Sequence, residues 1–356
     1  MNGRPVYRWL RINGRAVYRW LRINGRAVYR WLRIALYRLN AVFDIVGLSK
    51  DVSVEIMRFK PDVIHAHDLA TLPIAAQAAT AVGAKIVYDA HELERHRNGL
   101  NFLGRVSNAI IEARSIHKAD RVITVCGSIA DFLAATYKIM RPAVVMNAPD
   151  PSEQHTVPRT IRDSIGLKRD IPLAVYVGNV TFGRGLEKSV EALQHCKEFH
   201  LALLGPRVAS VEQELLDLAG QRGVLDRVHV LDSVSPHDVV PYIISADVGV
   251  IPIQDVCLSY RFCLPNKIFE MTFAGIPVCV SDLPEMRAFV ESERTGLIMD
   301  QTDPKDIARA MREAYRDRHQ LRATGDRLER IKKRYSWSTQ VEQLLSVYRD
   351  LSARPS

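Results

Sequence analysis

Lys267 and Glu270 lie one helical turn apart behind Pro265-Asn266, and this stretch carries the most chemistry in the sequence. Leu264–Glu270 reads as a loop opening into a short helix, with Gly275 suited to the left-handed position past its end. Pro277 then begins an apolar run of strand length. A helix N-terminus carries partial positive charge and free N–H donors, so Asn266, Lys267 and the first-turn amides would face one anionic ligand. Glu270 offers a carboxylate that accepts hydrogen bonds from sugar hydroxyls. A phosphate grip beside a hydroxyl reader suggests a nucleotide sugar. The plain structural alternative is an ordinary helix whose early Glu suits the dipole.

A second grip is expected about eighty residues earlier. Tyr176-Val177-Gly178-Asn179 ends a strand, and Gly183-Arg184-Gly185-Leu186 leads into a helix. Glycines such as Gly178 let backbone approach a phosphate, and the planar fork of Arg184 can hold two of its oxygens. The spacing is not G-x-G-x-x-G, so a dinucleotide cofactor is not favoured. Towards the N-terminus, His65-Ala66-His67-Asp68 and Asp89-Ala90-His91-Glu92 each follow a strand-like run. His67, Asp68, His91 and Glu92 read as polar residues lining a cleft, and His65 as a core histidine with its hydrogen bonds satisfied. The H-x-H spacing lacks a third well-spaced ligand, so no metal site is assigned. Asp-x-Asp occurs nowhere in the chain, so the usual diphosphate–metal grip is missing and fixed positive groups would balance the departing charge. Asp247, before a strand, and Ser233, at a loop, are placed near a nucleoside by context alone.

The elements that must position these residues alternate. Strand-like runs at Asp62–His65, Lys85–Asp89, Arg121–Val125 and Ala143–Met146 are separated by helical patterns, which argues for a parallel sheet covered on both faces. A looser stretch at 151–171 reads as a linker. A second α/β set follows, with strands at Leu173–Val177, Leu201–Leu204, Val228–Leu231, Val248–Ile251, Val278–Val280 and Leu297–Met299. The expected fold class is therefore α/β, with two doubly wound, Rossmann-like domains facing across a cleft, where such folds bind ligands. The expected organisation is an arm at 1–34, a first domain at 35–150, the linker, a second domain at 172–337, and a last amphipathic helix at 338–356.

The chain has 356 residues, room for two domains, and 25% charged residues, ordinary for a globular protein. Its five cysteines are scattered without a C-x-x-C pair and read as free thiols of a reducing compartment. No apolar run reaches the roughly 18 residues of a membrane span, and arginines interrupt any signal-peptide core. The net charge of +9 is local. Nine of the 49 Lys+Arg fall in residues 1–34, which hold no acid, leaving 40 against 40 Asp+Glu in the body. The basic balance is thus no argument for nucleic acid.

Residues 2–34 are three near-identical copies of an 11-residue unit, differing only at Pro5, Ala16 and Ala27. A period of 11 keeps the faces of successive copies aligned on one helix, with arginine opposite Trp, Leu and Val. Asn-Gly at 13–14 and 24–25 argues for breaks in it. An arm of this kind would lie against an anionic membrane surface. The other reading is a recent tandem duplication that only lengthens a helix, and the near-identity of the copies favours that.

Taken in order, several segments resemble the family 4 retaining glycosyltransferases of the GT-B fold. They are Lys60-Pro61-Asp62-Val63-Ile64-His65-Ala66-His67-Asp68, Val87–Glu92, Ala119–Val125, Val177-Gly178 with Arg184-Gly185-Leu186-Glu187, Leu264–Glu270 with Ala274–Val278, and Tyr335-Ser336-Trp337. The resemblance spans roughly Lys60 to Leu351. It implies a second domain that binds a nucleotide-diphosphate sugar, with Arg184 and Lys267 on the phosphates and Glu270 on the ribose. It places His91 near the transferred sugar as the catalytic residue, and implies transfer with retention and without metal or cofactor. The implied acceptor is a cell-envelope or lipid-linked glycan reached from the cytoplasmic side, peripherally at the inner face of the membrane. The last helix would cross back onto the first domain. Two departures are visible: Phe262 stands eight residues before Glu270, where the family often has an acid, and the first domain is expected to lack its opening strands. A truncated, inactive nucleotide-binding relative and a GT-B nucleotide-sugar epimerase are the alternative readings.

Overall fold

The computed structural model describes residues 53–151 and 156–352. The expectations for the repeat arm at 1–34, its membrane contact, and missing opening strands lie outside the described residues. The chain divides into two units, Met1–Asp62 with Gln77–Ala84, and Val63–Ala76 with Lys85–Ser356. Both sheets belong to the second unit.

The first sheet is β1 (Val63–His67), β2 (Lys85–Ala90), β3 (Arg121–Thr124) and β4 (Ala143–Val144), parallel and in sequential order. Its strands are short and apolar, and Val87, Tyr88 and Ala90 are fully buried. β1 runs two residues further than the sequence suggests. His67 therefore lies on the strand and pairs in register with Asp89 on β2. Polar residues at the strand end masked this continuation, because they break the apolar run used to find it.

The second sheet has six parallel strands in the order β10-β9-β8-β5-β6-β7. These are β5 (Leu173–Val177), β6 (His200–Leu204), β7 (Val228–Leu231), β8 (Val248–Ile251), β9 (Val278–Ser281) and β10 (Gly296–Met299). Chain order reverses around β5, which pairs with β6 on one side and β8 on the other. The end of β5 is thus the switch point where such sheets bind ligands. Every residue of β5, β8 and β9 is buried, as two-sided cover by helices requires.

The stretch at 151–171 is not linker throughout. Thr160 and Asp163 form a reciprocal capping box that starts the helix Ile161–Ser164. Ile161 is fully buried in the core of the second sheet. Arg162 bonds Asp247 at 2.6 Å and the carbonyls of Ser245, Lys168 and Ile171. These four bonds satisfy a guanidinium that is 5% exposed.

The last helix, Trp337–Ser352, packs against the first sheet. Val347 and Leu351 join Val87, Ile123 and Val145 in one apolar cluster. Gln340 accepts from the amide of Met146 at 2.9 Å, and Lys85 donates to the carbonyl of Leu351 at 2.7 Å. No described helix is long and apolar enough to cross a membrane.

Candidate functional site

The helix Asn266–Phe273 begins at Pro265 with no side chain capping its first amides. Behind it, Lys267 is 8% exposed, with its amine 4.0 Å from the centre of the Tyr176 ring. Burial, and then the nearby Arg184, push its pKa down to about 7. Gly178 follows β5 with φ +125°, and a Cβ there would stand 2.9 Å from the Lys267 amine. The absent side chain is what admits the lysine. Gly185, at φ +74°, presses so close to the carbonyl of Pro252 that a Cβ would lie 2.0 Å from it. That contact fixes the turn that presents Arg184. The Arg184 guanidinium lies 4.7 Å from the centre of the Tyr260 ring, and its Nε is buried without a hydrogen-bond partner. Among the described residues, neither cation has a carboxylate within ion-pair reach. Glu270, one turn after Lys267, has its pKa raised by burial, an effect that Lys267 opposes.

On the facing sheet, Asp89 gathers three histidines. Its Oδ2 lies 3.4 Å from His65 Nε2, 3.4 Å from His67 Nδ1 and 3.3 Å from His91 Nε2. Burial alone would raise the Asp89 pKa, but hydrogen bonds from His65 and His91 hold it at about 2. The same bond raises the His91 pKa, while burial and His65 lower that of His67. His91 Nδ1 faces Asn147 Nδ2 at 3.3 Å, so its ring is oriented from both sides. His65 lies in this polar cluster, bonded to Tyr348 Oη at 2.6 Å. Ligand atoms of His65, His67 and Asp89 come within 4.8 Å of one another. The His65 and His67 rings, however, are stacked at 4.3 Å with 7° between their planes. With metal–nitrogen bonds of about 2.0–2.1 Å, two parallel rings so stacked do not aim their lone pairs at one ion.

Two adjoining cavities connect these groups. One, of about 220 Å³, is lined by His91, Glu92, Asn147, Arg184, Ser259 and Asn266 among others. The other, of about 280 Å³, is lined by residues that include Asn147, Asp150, His237, Asn266, Glu270 and Trp337. Asn147 and Asn266 belong to both. Arg184 and His91 thus share a cavity across the two sheets, and Glu270 lies in the next one. Glu92 bonds Ser259 of the opposite side at 3.1 Å and Arg97 at 3.0 Å. His67 is exposed, and Asp68 turns the chain from β1 into a helix at φ +61° with Oδ1 buried and unpartnered.

Asp247 is elsewhere. Its carboxylate accepts from Arg162 and from the amide of Leu173, at the start of β5, the end of the sheet away from Gly178. Near Phe262, Asp255 is held in a two-pronged ion pair by Arg261. The sequence reasoning missed Tyr176 and Tyr260 as the rings under the two cations, and Asn147 as the partner of His91. Its place just past the apolar run Ala143–Met146, ahead of Pro149 and Pro151, was the available signal for Asn147.

A family model described as Glycosyltransferase Family 4 matches residues 15–153, and one described as Glycosyl transferases group 1 matches residues 171–317. A D-inositol 3-phosphate glycosyltransferase of Xylanimonas cellulosilytica is 26% identical over 312 residues, covering 82% of this chain and 73% of its own length. The solved sucrose-phosphate synthase of Thermosynechococcus elongatus superposes with a TM-score of 0.74 at 20% identity, over 87% of this chain and 78% of that one. Anabaena HepE in complex with UDP-glucose does so with 0.70 at 16% identity, over 85% and 82%. At such identities the two structures speak for the fold alone. The paired parallel sheets, the two matched models and the superposed chain course lead to one statement: this chain belongs to the family 4 glycosyltransferases of the GT-B fold, and its activity is of the glycosyltransferase kind.

Proposed function

We propose that this protein moves a sugar from a nucleotide-diphosphate sugar to a cell-envelope or lipid-linked glycan acceptor, with retention at the anomeric carbon and without a metal ion or other cofactor, from the cytoplasmic side. The observation that carries the reading is a pair of cations, Arg184 and Lys267, set beside the switch point of the second sheet with no carboxylate within ion-pair reach among the described residues. Burying unpaired charge is costly unless a ligand supplies the counter-charge. A diphosphate is a ligand of that charge, and Glu270 in the adjoining cavity suits the hydroxyls of its ribose. HepE, with the same fold, was solved with UDP-glucose.

In this reading the bond from the anomeric carbon to the diphosphate oxygen breaks, and the electron pair leaves with the diphosphate. An acceptor hydroxyl oxygen bonds the anomeric carbon on the same face, and its proton passes to the departing diphosphate oxygen. Arg184, Lys267 and the amides before Ile268 stabilise the charge that develops on the leaving group. His91, steadied by Asp89 and Asn147, faces the sugar, and Glu92, His67 and Asp68 line the acceptor side. An epimerase would need free acid and base carboxylates in the cleft. Glu92 is instead paired with Arg97, and Asp89 is ionised among histidines.

The test is calorimetric titration with a panel of nucleoside diphosphates, followed by anomer assignment of the transferred sugar by NMR. Arg184→Ala and Glu270→Ala should each weaken nucleotide binding, and turnover should survive EDTA. Unchanged affinity in both variants would overturn the donor assignment, and loss of turnover in EDTA would overturn the metal-free reading.

A further inference from the structure

The helix Phe102–Ser115 is turned inside out. Its buried residues are Glu112 and Ser115, whereas Phe102 is 77% exposed and Leu103 69%. Val106, Ile110 and Ile111 are also exposed. At 100° per residue, Phe102, Val106, Ile110 and Leu103 fall within one arc of about 100°, a continuous apolar face. A surface helix of a globular protein normally buries such a face. Here the inward side is polar because Glu112 is fixed by Tyr88 at 3.1 Å and Tyr137 at 2.6 Å. The orientation is therefore specified by buried hydrogen bonds and is not a packing accident.

The charges around this face have one sign on the helix itself. Arg105 and Arg114 flank the arc and are exposed, and His117 and Lys118 follow its end. Glu112, the only acid of the helix, points inward; the nearest exposed acid in sequence is Asp120, which accepts from the amide of Ile86. Apolar side chains bordered by arginine match the interface of an anionic bilayer, where rings and aliphatic groups enter the acyl boundary and guanidinium groups meet phosphates.

The start of the helix is tied to the segment that carries Arg184. The loop before Phe102 carries Asn98, whose side chain donates to the carbonyl of Phe182 at 3.4 Å. Phe182, two residues before Arg184, is itself 51% exposed. We infer that the helix Phe102–Ser115 docks the protein on an anionic membrane surface, with the mouth of the cleft held at the lipid headgroups. This rests on the proposed reading in one respect, that the acceptor is lipid-linked; the docking itself needs no acceptor.

Co-sedimentation with vesicles tests it. Full-length protein and the variant Phe102→Ser/Val106→Ser/Ile110→Ser are mixed with phosphatidylglycerol–phosphatidylcholine vesicles and with phosphatidylcholine alone. Both proteins carry the same N-terminal arm, so any difference between them belongs to the helix. The native chain should bind the anionic vesicles, more weakly as salt is raised, and the variant should bind about tenfold or more weakly. Retained binding of a nucleoside diphosphate shows that the variant is folded, and its failure in the native chain would strike the donor reading and leave the docking intact. Equal vesicle binding by the two proteins would overturn the inference. So would a native dimer that the variant dissolves without any vesicle binding, since a second copy would then cover the face.

Discussion

Lys267 is held near neutrality by its surroundings, and that sets how binding depends on pH. Its folded pKa, about 7, lies well below that of an ordinary lysine. Between these values the unfolded chain binds a proton that the folded chain lacks, so this group makes the ligand-free protein more stable as pH rises through that window. An anion on the amine reverses the preference by favouring the charged form. At pH 8, binding of a nucleoside diphosphate should therefore take up close to one proton, and affinity should fall as pH rises above 7. Calorimetry in buffers of different ionisation enthalpy measures the uptake, and Lys267→Met should abolish it. Gly178 offers a second test. Alanine there meets the Lys267 amine at 2.9 Å and must also adopt φ +125°. The strain is worth about 1–3 kcal/mol. Gly178→Ala should lower the melting temperature and weaken diphosphate binding together, whereas a purely structural glycine would move only the first.

At the scale of elements, Arg162 shows how a short helix is built into a domain. Its side chain is 6% exposed and that of Asp247 16%. Removing the arginine leaves the buried Asp247 without its counter-charge, with only the Leu173 amide still donating to it, and takes a donor from three carbonyls; breaking a buried pair from one side costs about 3–5 kcal/mol. Arg162→Ala should lose that much in denaturant unfolding, and a loss below about 1 kcal/mol, the range of exposed pairs, would mean that water replaces the arginine freely. Nothing in the run at 151–171 announced this. Its prolines and polar residues looked loose, and the capping box Thr160-Ile161-Arg162-Asp163 was the only local sign of a helix. The strands were far more legible. β5 and β8 match their apolar runs residue for residue, because strands covered on both faces have no polar side to confuse the pattern. The site was legible where it depends on backbone, as at Gly178 and the start of the helix Asn266–Phe273. It was illegible where two distant segments meet. Tyr260 reaches Arg184 from the short helix Leu258–Arg261 that follows β8, and Asn147 reaches His91 from beyond β4; no local spacing encodes either contact.

For the whole molecule, the helix Trp337–Ser352 decides how the cleft stays assembled. It starts beside the second sheet, where Trp337 lines the Glu270 cavity and donates to the carbonyl of Pro149 at 3.3 Å. It ends on the first sheet, where Leu351 is 2% exposed against Val87 and Ile123. Between them Tyr348 bonds His65, and His65 bonds Asp89, the residue that steadies His91. One element therefore touches the nucleotide side at its start and the histidine side at its end. Leu351→Ala removes an apolar anchor at the far end, with a cost of about 2–5 kcal/mol in docking that helix. The amides of residues 340–352 should then exchange faster while those of β5 and β6 keep their protection. Diphosphate affinity should hold, since Arg184, Lys267 and Glu270 belong to the second sheet's own framework. Turnover should fall, because His91 and the cation pair must face each other across the shared cavity. If affinity falls in step with turnover, the helix supports the second sheet rather than the pairing of the two, and the cleft would need some other clasp.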